Sequence, residues 1–198
     1  NTITNFIDGS QSELKIFMYQ FDYDDIFNAL VDAHDRGVKV QVMLDGVQDQ
    51  KYAKETSTAL THAGIDVKYA PNKFDHAHSK SLIRDGNKAI VMSANFIDFS
   101  MWSERNYGII TNDINDVSDL LAVFESDWSG TPLDLSCTRL IVSPINAETR
   151  LLDLISNAQT ELNLALMYLS DTDIKNSIIE RAQAGVPVRA LLANPAWI

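Results

Sequence analysis

A short run of the sequence concentrates polar side chains that could act on a phosphate group. The stretch HAHSKSLIRDGNKAIVMSAN spans residues 76–95. It carries two imidazoles, an ammonium, a carboxylate, a hydroxyl and an amide: His76, His78, Lys80, Asp85, Ser93 and Asn95. An ammonium suits the charge of a phosphoryl group, hydroxyl and amide donors suit its non-bridging oxygens, and an imidazole can attack phosphorus or donate a proton. We therefore expect Lys80, Ser93 and Asn95 to bind phosphate, with His78 as nucleophile or general acid.

Strand geometry brings these groups together. Residues 78–85 and 88–94 are expected to be paired strands around a turn at Gly86–Asn87. Residues two apart on a strand share a face, so His78 and Lys80 project together, with His76 beside them if the strand extends back that far. The alternative is a half-exposed strand with solvated polar groups, in which Asp85 is only a turn residue.

A metal site is the weaker hypothesis for the two histidines. His76 is either a supporting hydrogen-bonding group or a second metal ligand beside His78. Neither a cysteine nor a carboxylate cluster lies near them in the sequence, so we expect no metal and no cofactor.

The elements that must position these residues alternate between strand and helix. The expected strands are 14–21, 38–45, 65–70, 78–85, 88–94 and 107–111, and the expected helices lie within 23–37, 50–64 and 116–128. Gly37 stands where the first of these helices would end. This alternation is typical of an α/β sandwich with a mostly parallel or mixed sheet.

An internal repeat appears when the sequence is shifted by 148 residues. RGVKVQVML (36–44) then aligns with AGVPVRALL (184–192). Any two strand–helix–strand units share part of such a pattern, but matched Gly, Glu and Asn positions favour duplication. We expect a first repeat at 1–135 and the start of a second at 136–198, opening with a strand at 139–144. The counterpart of that strand would lie before residue 1, and the second copy of the motif beyond residue 198. We therefore expect a chain clipped at both ends, and the missing initiator Met fits a processed or trimmed product.

Composition and charge narrow the classes of function. The 198 residues carry a formal net charge of −11, which disfavours bulk attraction to nucleic acid or to anionic membranes. No apolar run approaches the roughly 20 residues of a membrane span, and no signal peptide is visible. Cys137 is the single cysteine, so an internal disulfide is excluded.

The spaced motif resembles that of the phospholipase D superfamily, particularly its two-repeat bacterial and cardiolipin-synthase-like branch. The superfamily pattern is His-x-Lys, four residues, Asp, six residues, then Gly-Ser-x-Asn. This sequence matches it with HSKSLIRD, GNKAIV and MSAN, except that Met92 replaces the usual Gly. RGVKVQVMLDG and VFESDW resemble further segments of these proteins, so the resemblance covers nearly the whole chain.

The resemblance implies an α/β/α sandwich and a two-motif active site. One motif histidine forms a phosphohistidine and the other protonates the leaving alcohol, while the two Lys and two Asn hold the phosphoryl oxygens without a metal. His78, Lys80 and Asp85 then form the catalytic motif, with Asp85 mainly supporting; whether His78 is nucleophile or acid stays open. Many members place an acidic residue shortly after the Asn to orient the imidazole, and here either Asn106 or Glu104 would do so.

The leading hypothesis is a phosphodiesterase that cleaves or transfers phospholipid head groups. The alternatives are a metal-independent nuclease, a cardiolipin-synthase-like phosphatidyl transferase and a degenerate, non-catalytic half. A nuclease would need cations around Lys80, and the candidates are few: Lys68, Lys73, Arg84 and Arg105. The 198 residues alone are expected to be inactive, because the second motif must come from the rest of the protein or from a homodimer mate. The resemblance favours a secreted or periplasmic bacterial protein.

Two aromatic residues after the motif have two possible roles. Phe99 and Trp102 either line a substrate mouth or cap the core.

Overall fold

The computed structural model describes residues 2–46 and 50–194 of the chain. The chain divides into two compact units, Asn1–Arg139 and Leu140–Ile198. The division falls four residues after the boundary expected from the sequence, at 135. That the two units are duplicated repeats stays a prediction.

The first unit alternates strand and helix as expected. Its strands are β1 (Glu13–Met18), β2 (Phe21–Asp22), β3 (Lys39–Leu44), β4 (Asp66–Tyr69), β5 (Lys80–Arg84), β6 (Lys88–Met92), β7 (Phe96–Ile97) and β8 (Gly108–Thr111). Its helices are α1 (Thr2–Asp8), α2 (Asp24–Asp35), α3 (Gln50–His62), α4 (Asp98–Trp102) and α5 (Ile114–Ser129). The apolar run expected as one strand at 14–21 is divided into β1 and the short β2, which pairs with β7.

Six strands form one mixed sheet in the order β4-β3-β1-β5-β6-β8. Strands β1, β3 and β4 are parallel, while β5, β6 and β8 add as antiparallel neighbours. The register places Met18 opposite Lys80, so the carboxyl end of β1 meets the start of β5. This register determines which residues can share a site.

Helices cover both faces of this sheet. One buried cluster joins α1, α2 and α3 to the face that carries Ile16, Val42 and Leu82. A second cluster joins Val117 and Phe124 of α5 to the opposite face. Alternate residues of each strand point to opposite faces, which is why almost continuous apolar strands are required here. The α/β sandwich with a mixed sheet is thereby confirmed.

The second unit is smaller. It contains α6 (Ala147–Ser156), β9 (Leu162–Leu166), α7 (Thr172–Gln183) and β10 (Val188–Leu192), with β9 and β10 paired in parallel. The strand expected at 139–144 is wrong, because these residues are irregular and enter a turn. The Val142 amide donates to Asn146 Oδ1 at 2.7 Å and its carbonyl accepts from the Asn146 amide at 3.0 Å, so these backbone groups serve the turn.

The motif strand also begins later than expected, at Lys80 rather than residue 78. The Ala77 amide donates to Asp45 Oδ1 at 2.9 Å, and the His78 carbonyl accepts from Lys80 Nζ at 2.8 Å. The Ala77 amide and the His78 carbonyl are thus hydrogen-bonded to side chains and not to a neighbouring strand. Among the described residues, no helix has the length and apolar character needed to cross a membrane.

Candidate active site

The site lies at one edge of the six-stranded sheet. The carboxyl ends of the parallel strands β1 and β3 reach this edge, and the antiparallel strand β5 begins there. Strand β6 ends and β8 begins at the same edge, with Met92 opposite Gly108. Polar residues that just precede or follow these strands are therefore gathered together.

His78 and Lys80 form the centre of the site. The Lys80 Nζ is folded back to donate to the His78 carbonyl at 2.8 Å, and Lys80 is only 5% exposed. Burial lowers the pKa of Lys80 to about 8, partly opposed by the negative charge of Glu104. Within the described residues, no carboxylate forms an ion pair with this ammonium. A buried ammonium without an ion-pair partner is suited to bind an anion.

The imidazole of His78 is held against an aromatic ring. Its centroid lies 4.5 Å from that of Tyr19, with the ring planes tilted by 58°. The residue remains exposed. Partial burial nevertheless lowers the pKa of His78, as do the charges of Lys80 and His76, whereas Asp45 raises it. The net effect favours a neutral imidazole at pH 7, the form with a free lone pair.

Asn95 is tied into the loops beside this centre. Its Nδ2 donates to Gln20 Oε1 at 3.0 Å and its backbone amide donates to Ser100 Oγ at 3.3 Å. An amide nitrogen carries two hydrogens, so Nδ2 has a second one for a phosphoryl oxygen. The predicted phosphate-binding role of Asn95 stays a prediction.

Ser93 serves the loop instead of presenting a donor. Its hydroxyl donates to Asn106 Oδ1 at 2.8 Å and accepts from the Tyr107 amide at 3.0 Å. A hydroxyl has one hydrogen to donate, and here that hydrogen is used. In this conformation the Ser93 hydroxyl therefore fixes the start of β8, and its phosphate-binding role stays a prediction.

Glu104 and Asn106, the two candidates for orienting the imidazole, belong to one network. Asn106 Nδ2 donates to Glu104 Oε2 at 3.2 Å, and the same carboxylate oxygen accepts a short hydrogen bond from the Ser100 hydroxyl. Glu104 also acts on Lys80 through its charge. The two residues thus share one hydrogen-bond network in the loop, and Glu104 also favours the charged form of Lys80.

Asp85 lies far from this chemistry, so its contacts fit the supporting role expected of it, and its place in the catalytic motif stays a prediction. It follows the opposite end of β5 from His78, and its carboxylate accepts from the backbone amides of Gln11, Ser12 and Glu13 and from the Ser12 hydroxyl. Its φ of 51° and that of Gly86 at 61° form the turn into β6, where only residues that tolerate positive φ fit. Asp85 therefore shapes the hairpin and anchors the start of β1.

His76 is brought to the site but on its rim. Its ring lies edge-on to Tyr19, with 6.1 Å between the centroids. No group of three or more His, Cys, Asp or Glu residues that could hold a metal ion occurs within the described part of the chain.

Two residues of the site, Tyr19 and Asp45, were not predicted from the sequence. Tyr19 follows β1 directly and contacts both histidine rings, and Lys80 Nζ lies 4.9 Å from its centroid. Asp45 follows β3, is fully buried, and holds the Ala77 amide next to His78. The available signal was their position, because residues just past the carboxyl ends of parallel strands gather at one edge.

Phe99 and Trp102 lie on α4, just past Asn95. They are 62% and 77% exposed, respectively, so they do not cap the core.

Comparison with known proteins identifies the family of this chain. The family described as "Cardiolipin synthase, PLD-like domain" matches residues 3–128. This match covers more than half of the chain, so the first unit is a phospholipase D-like domain. The chain belongs to this family, within the phospholipase D superfamily, which confirms the resemblance found in the sequence.

Individual relatives cover parts of the chain. It is 28% identical over 125 residues to the mitochondrial cardiolipin hydrolase of Danio rerio, covering 62% of this chain and 53% of that protein. It is 35% identical over 97 residues to a phospholipase D of Rickettsia conorii, covering 48% of this chain and 46% of that protein. The chain thus spans about half the length of these curated relatives.

A solved structure supports the fold. Nuc from Salmonella typhimurium, a phospholipase D family member, superposes with a TM-score of 0.60 at 24% identity, covering 65% of this chain and 85% of that one.

Proposed function

We propose that this chain carries one motif of a phospholipase D-type phosphodiesterase that acts on phospholipids through a phosphohistidine at His78. The single observation that carries the proposal is the pairing of a buried ammonium, Lys80, with an imidazole whose pKa is lowered. The names of the curated relatives, a cardiolipin hydrolase and a phospholipase D, support a phospholipid substrate.

The proposed chemistry has two steps. A ring nitrogen of His78 attacks phosphorus, so that a P–N bond forms and the P–O bond to the leaving alcohol breaks. The alcohol takes its proton from the histidine of a second motif. That histidine then accepts a proton from water, whose oxygen attacks phosphorus, breaks the P–N bond and leaves phosphatidic acid. If an alcohol replaces water, the same site transfers the phosphatidyl group.

Lys80 is the proposed anchor of the phosphoryl group. One of its three N–H donors is used by the His78 carbonyl, which leaves two for phosphoryl oxygens. Charge that builds up on these oxygens in the transition state is stabilised by an ammonium already stripped of water. Asn95 would add a neutral donor beside it.

A second motif is needed to donate the proton. As the sequence predicts, it would come from further residues of the same protein or from a second copy of the chain. The two sources differ in concentration dependence: with a second copy, activity per chain rises as dilute protein is concentrated, and with one chain it stays constant.

A nuclease is less well supported by the charges around the site. Of the cations that a nucleic-acid cleft would need, Lys68 donates to the Trp128 carbonyl at 3.0 Å and Lys73 pairs with Asp127 at 3.3 Å. Arg84 lies at the other end of β5 and donates to the Phe6 carbonyl. Arg105 alone of the four lies in the loop beside Asn106.

The test compares His78→Ala with a matched histidine outside the site, His62→Ala on α3. Phosphatidylcholine, cardiolipin and single-stranded DNA are offered in parallel to the protein together with its second motif. We expect phospholipid cleavage that His78→Ala lowers by about 10³-fold or more and His62→Ala leaves unchanged. Acid-labile phosphate trapped on the wild-type protein supports the intermediate. Preferential cleavage of DNA, or unimpaired cleavage by His78→Ala, would overturn the proposal.

The pH dependence gives a second check. Because the pKa of Lys80 is about 8, the free protein loses this positive charge as pH rises through that value. We therefore expect kcat/KM to fall above about pH 8, and kcat to fall at a higher pH because a bound phosphoryl anion raises the Lys80 pKa. A kcat/KM that stays constant up to pH 10 would exclude the assigned role.

A further inference from the structure

One aromatic ring contacts both groups at the centre of the site and also the imidazole on its rim. Tyr19 lies 4.5 Å from the His78 ring and 6.1 Å from the His76 ring, measured between centroids. Lys80 Nζ lies 4.9 Å from the same centroid. Because β1 and β5 are antiparallel with Met18 opposite Lys80, the residue after β1 comes level with the residues just before β5. The contacts therefore follow from the register of two central strands.

The ring acts differently on its two main neighbours. The face of an aromatic ring attracts an ammonium, by about 0.5–2 kcal/mol according to burial, so it helps Lys80 to stay charged although it is buried. The same ring replaces water beside His78, and partial burial favours the neutral imidazole. A charged Lys80 beside a neutral His78 is the combination that attack on a phosphoryl group requires.

The other groups around His78 do not provide this coupling. Lys80 and His76 lower its pKa through their charge, and Asp45 raises it, being held to the backbone at Ala77. Tyr19 differs from these groups because its ring contacts both the His78 ring and the Lys80 ammonium.

We propose that Tyr19 is a positioning residue that holds the His78 imidazole and the Lys80 ammonium at a fixed spacing for one phosphoryl group. The proposal rests on the function proposed above, because the spacing matters only if both side chains meet one phosphate. The ring, not the hydroxyl, carries this role. Tyr19→Phe should therefore keep it and Tyr19→Leu should lose it.

The first experiment does not depend on turnover. The His78 ring resonance is followed by NMR against pH and against added inorganic phosphate in the chain itself. The wild type is compared with Tyr19→Phe, Tyr19→Leu and a matched control, Tyr69→Leu, whose tyrosine is 50% exposed on the edge strand β4. Tyr19→Leu should lose the ring-current shift of His78, raise its pKa towards the ordinary value and weaken phosphate binding several-fold. Tyr19→Phe and Tyr69→Leu should match the wild type.

The second experiment measures phospholipid cleavage with the second motif supplied. We expect Tyr19→Leu to lower kcat by about tenfold to a hundredfold with a smaller change in KM, because misplaced reacting groups mainly slow the chemical step. Tyr19→Phe should restore the rate. An unfolding midpoint equal to that of Tyr69→Leu shows that the loss is not a loss of fold.

The outcomes separate this proposal from the proposed function. If Tyr19→Leu equals Tyr69→Leu in the NMR titrations, or changes them while kcat stays at the wild-type value, the positioning role is wrong. If the wild type cleaves no phospholipid, the proposed function fails, and phosphate binding in the Tyr19 variants still decides whether the ring positions the pair.

Discussion

Two regions of this chain have the same local structure but different surroundings. In the first, β1 and β3 flank α2; in the second, β9 and β10 flank α7. Leu14 lies opposite Val40 in one pair, and Leu162 lies opposite Val188, both shifted by 148, in the other. A glycine lies two residues beyond the end of each helix, with almost the same φ, 89° at Gly37 and 88° at Gly185. This agreement in register is what a duplication requires, and the duplication stays a prediction.

Burial differs sharply between the two regions. All but the first residue of β1 and of β3 are buried, whereas no residue of β9 or β10 is. In the first unit, α1 to α3 and α5 cover the two faces of the sheet, and β5 extends it beside β1. The comparison teaches that the sequence pattern determines strand, helix and register, and that burial depends on which further elements pack against them.

The ends of the strands differ in chemistry as well. Asp45 follows β3, but Ala193 follows β10, at the matched position. Tyr19 follows β1, but Met167 follows β9. The first region thus carries positioning groups at the edge where the motif lies.

The largest expected effect tests the difference in burial with one substitution made at matched positions. Leu44 and Leu192 are related by the offset of 148 and are 0% and 48% exposed, respectively. Leu44→Ala should lower the free energy of unfolding by about 2–5 kcal/mol, because it leaves a cavity in the core. Leu192→Ala should lower it by about 0.5 kcal/mol or less. Urea unfolding of both variants measures the contrast, and equal losses would mean that β10 is covered in solution.

A smaller loss of stability is expected when Asp45, which follows β3, is replaced by alanine, the residue at the matched position 193 after β10. Asp45→Ala removes the acceptor of the buried Ala77 amide and should cost about 2 kcal/mol. Since the Asp45 charge raises the pKa of His78, its removal should lower that pKa further. Thermal unfolding and an NMR titration of His78 measure the two effects.

The reverse substitution, Ala193→Asp, is the control for Asp45→Ala. It should change stability by only about 0.5 kcal/mol, because residue 193 is partly exposed. An unchanged His78 pKa in Asp45→Ala would show that the two groups are not coupled.

Much of the fold could be predicted from sequence patterns that depend only on neighbouring residues. The helix at 24–35 follows from apolar residues at helical spacing before Gly37, and the β5–β6 hairpin follows from a turn that needs residues tolerant of positive φ. The strand expected at 139–144 is absent because both backbone groups of Val142 bond to Asn146, and a local Asn side chain competes in this way with the hydrogen bonds of a strand.

The site was predictable as far as the spaced motif reached. His78, Lys80 and Asn95 lie at one edge, as expected, since strand ends gather there. The roles of Ser93 and Asp85 depend on partners far along the chain, such as Gln11 and Asn106, and sequence spacing contains no information about such partners. Tyr19 and Asp45 were missed although they follow β1 and β3 directly, because that position marks them only once the two strands are known to be parallel neighbours.

The anchoring of β1 by Asp85 distinguishes the first region further and has a pH signature. Burial alone would raise the pKa of Asp85, but three backbone amides and the Ser12 hydroxyl outweigh it, so the pKa is lowered. A lowered pKa means that the carboxylate stabilises the fold above its unfolded pKa of about 4 and that this contribution is lost as pH falls through the folded value.

Asp85→Asn removes the charge and keeps a residue that tolerates positive φ. It should cost about 1–2 kcal/mol at pH 7, and the difference from the wild type should disappear at low pH. Unfolding curves measured from pH 7 down to pH 2 check this. A difference that is independent of pH would show that the charge is not involved.

The smallest expected effect concerns a feature that the second region has and the first lacks. Asp171, the N-cap of α7, accepts from the Ile174 amide at 2.9 Å, whereas Tyr23, at the matched position before α2, makes no side-chain cap. Tyr23 is only 7% exposed, so packing holds the start of α2, while α7 has no buried residue and depends on its cap. Asp171→Ala should therefore cost about 1 kcal/mol and speed hydrogen exchange at the Ile174 amide. Asp173→Ala removes a charge in the same turn without removing the cap, so it should leave that amide protected. Equal exchange in the two variants would mean that charge, rather than the cap, holds the start of α7.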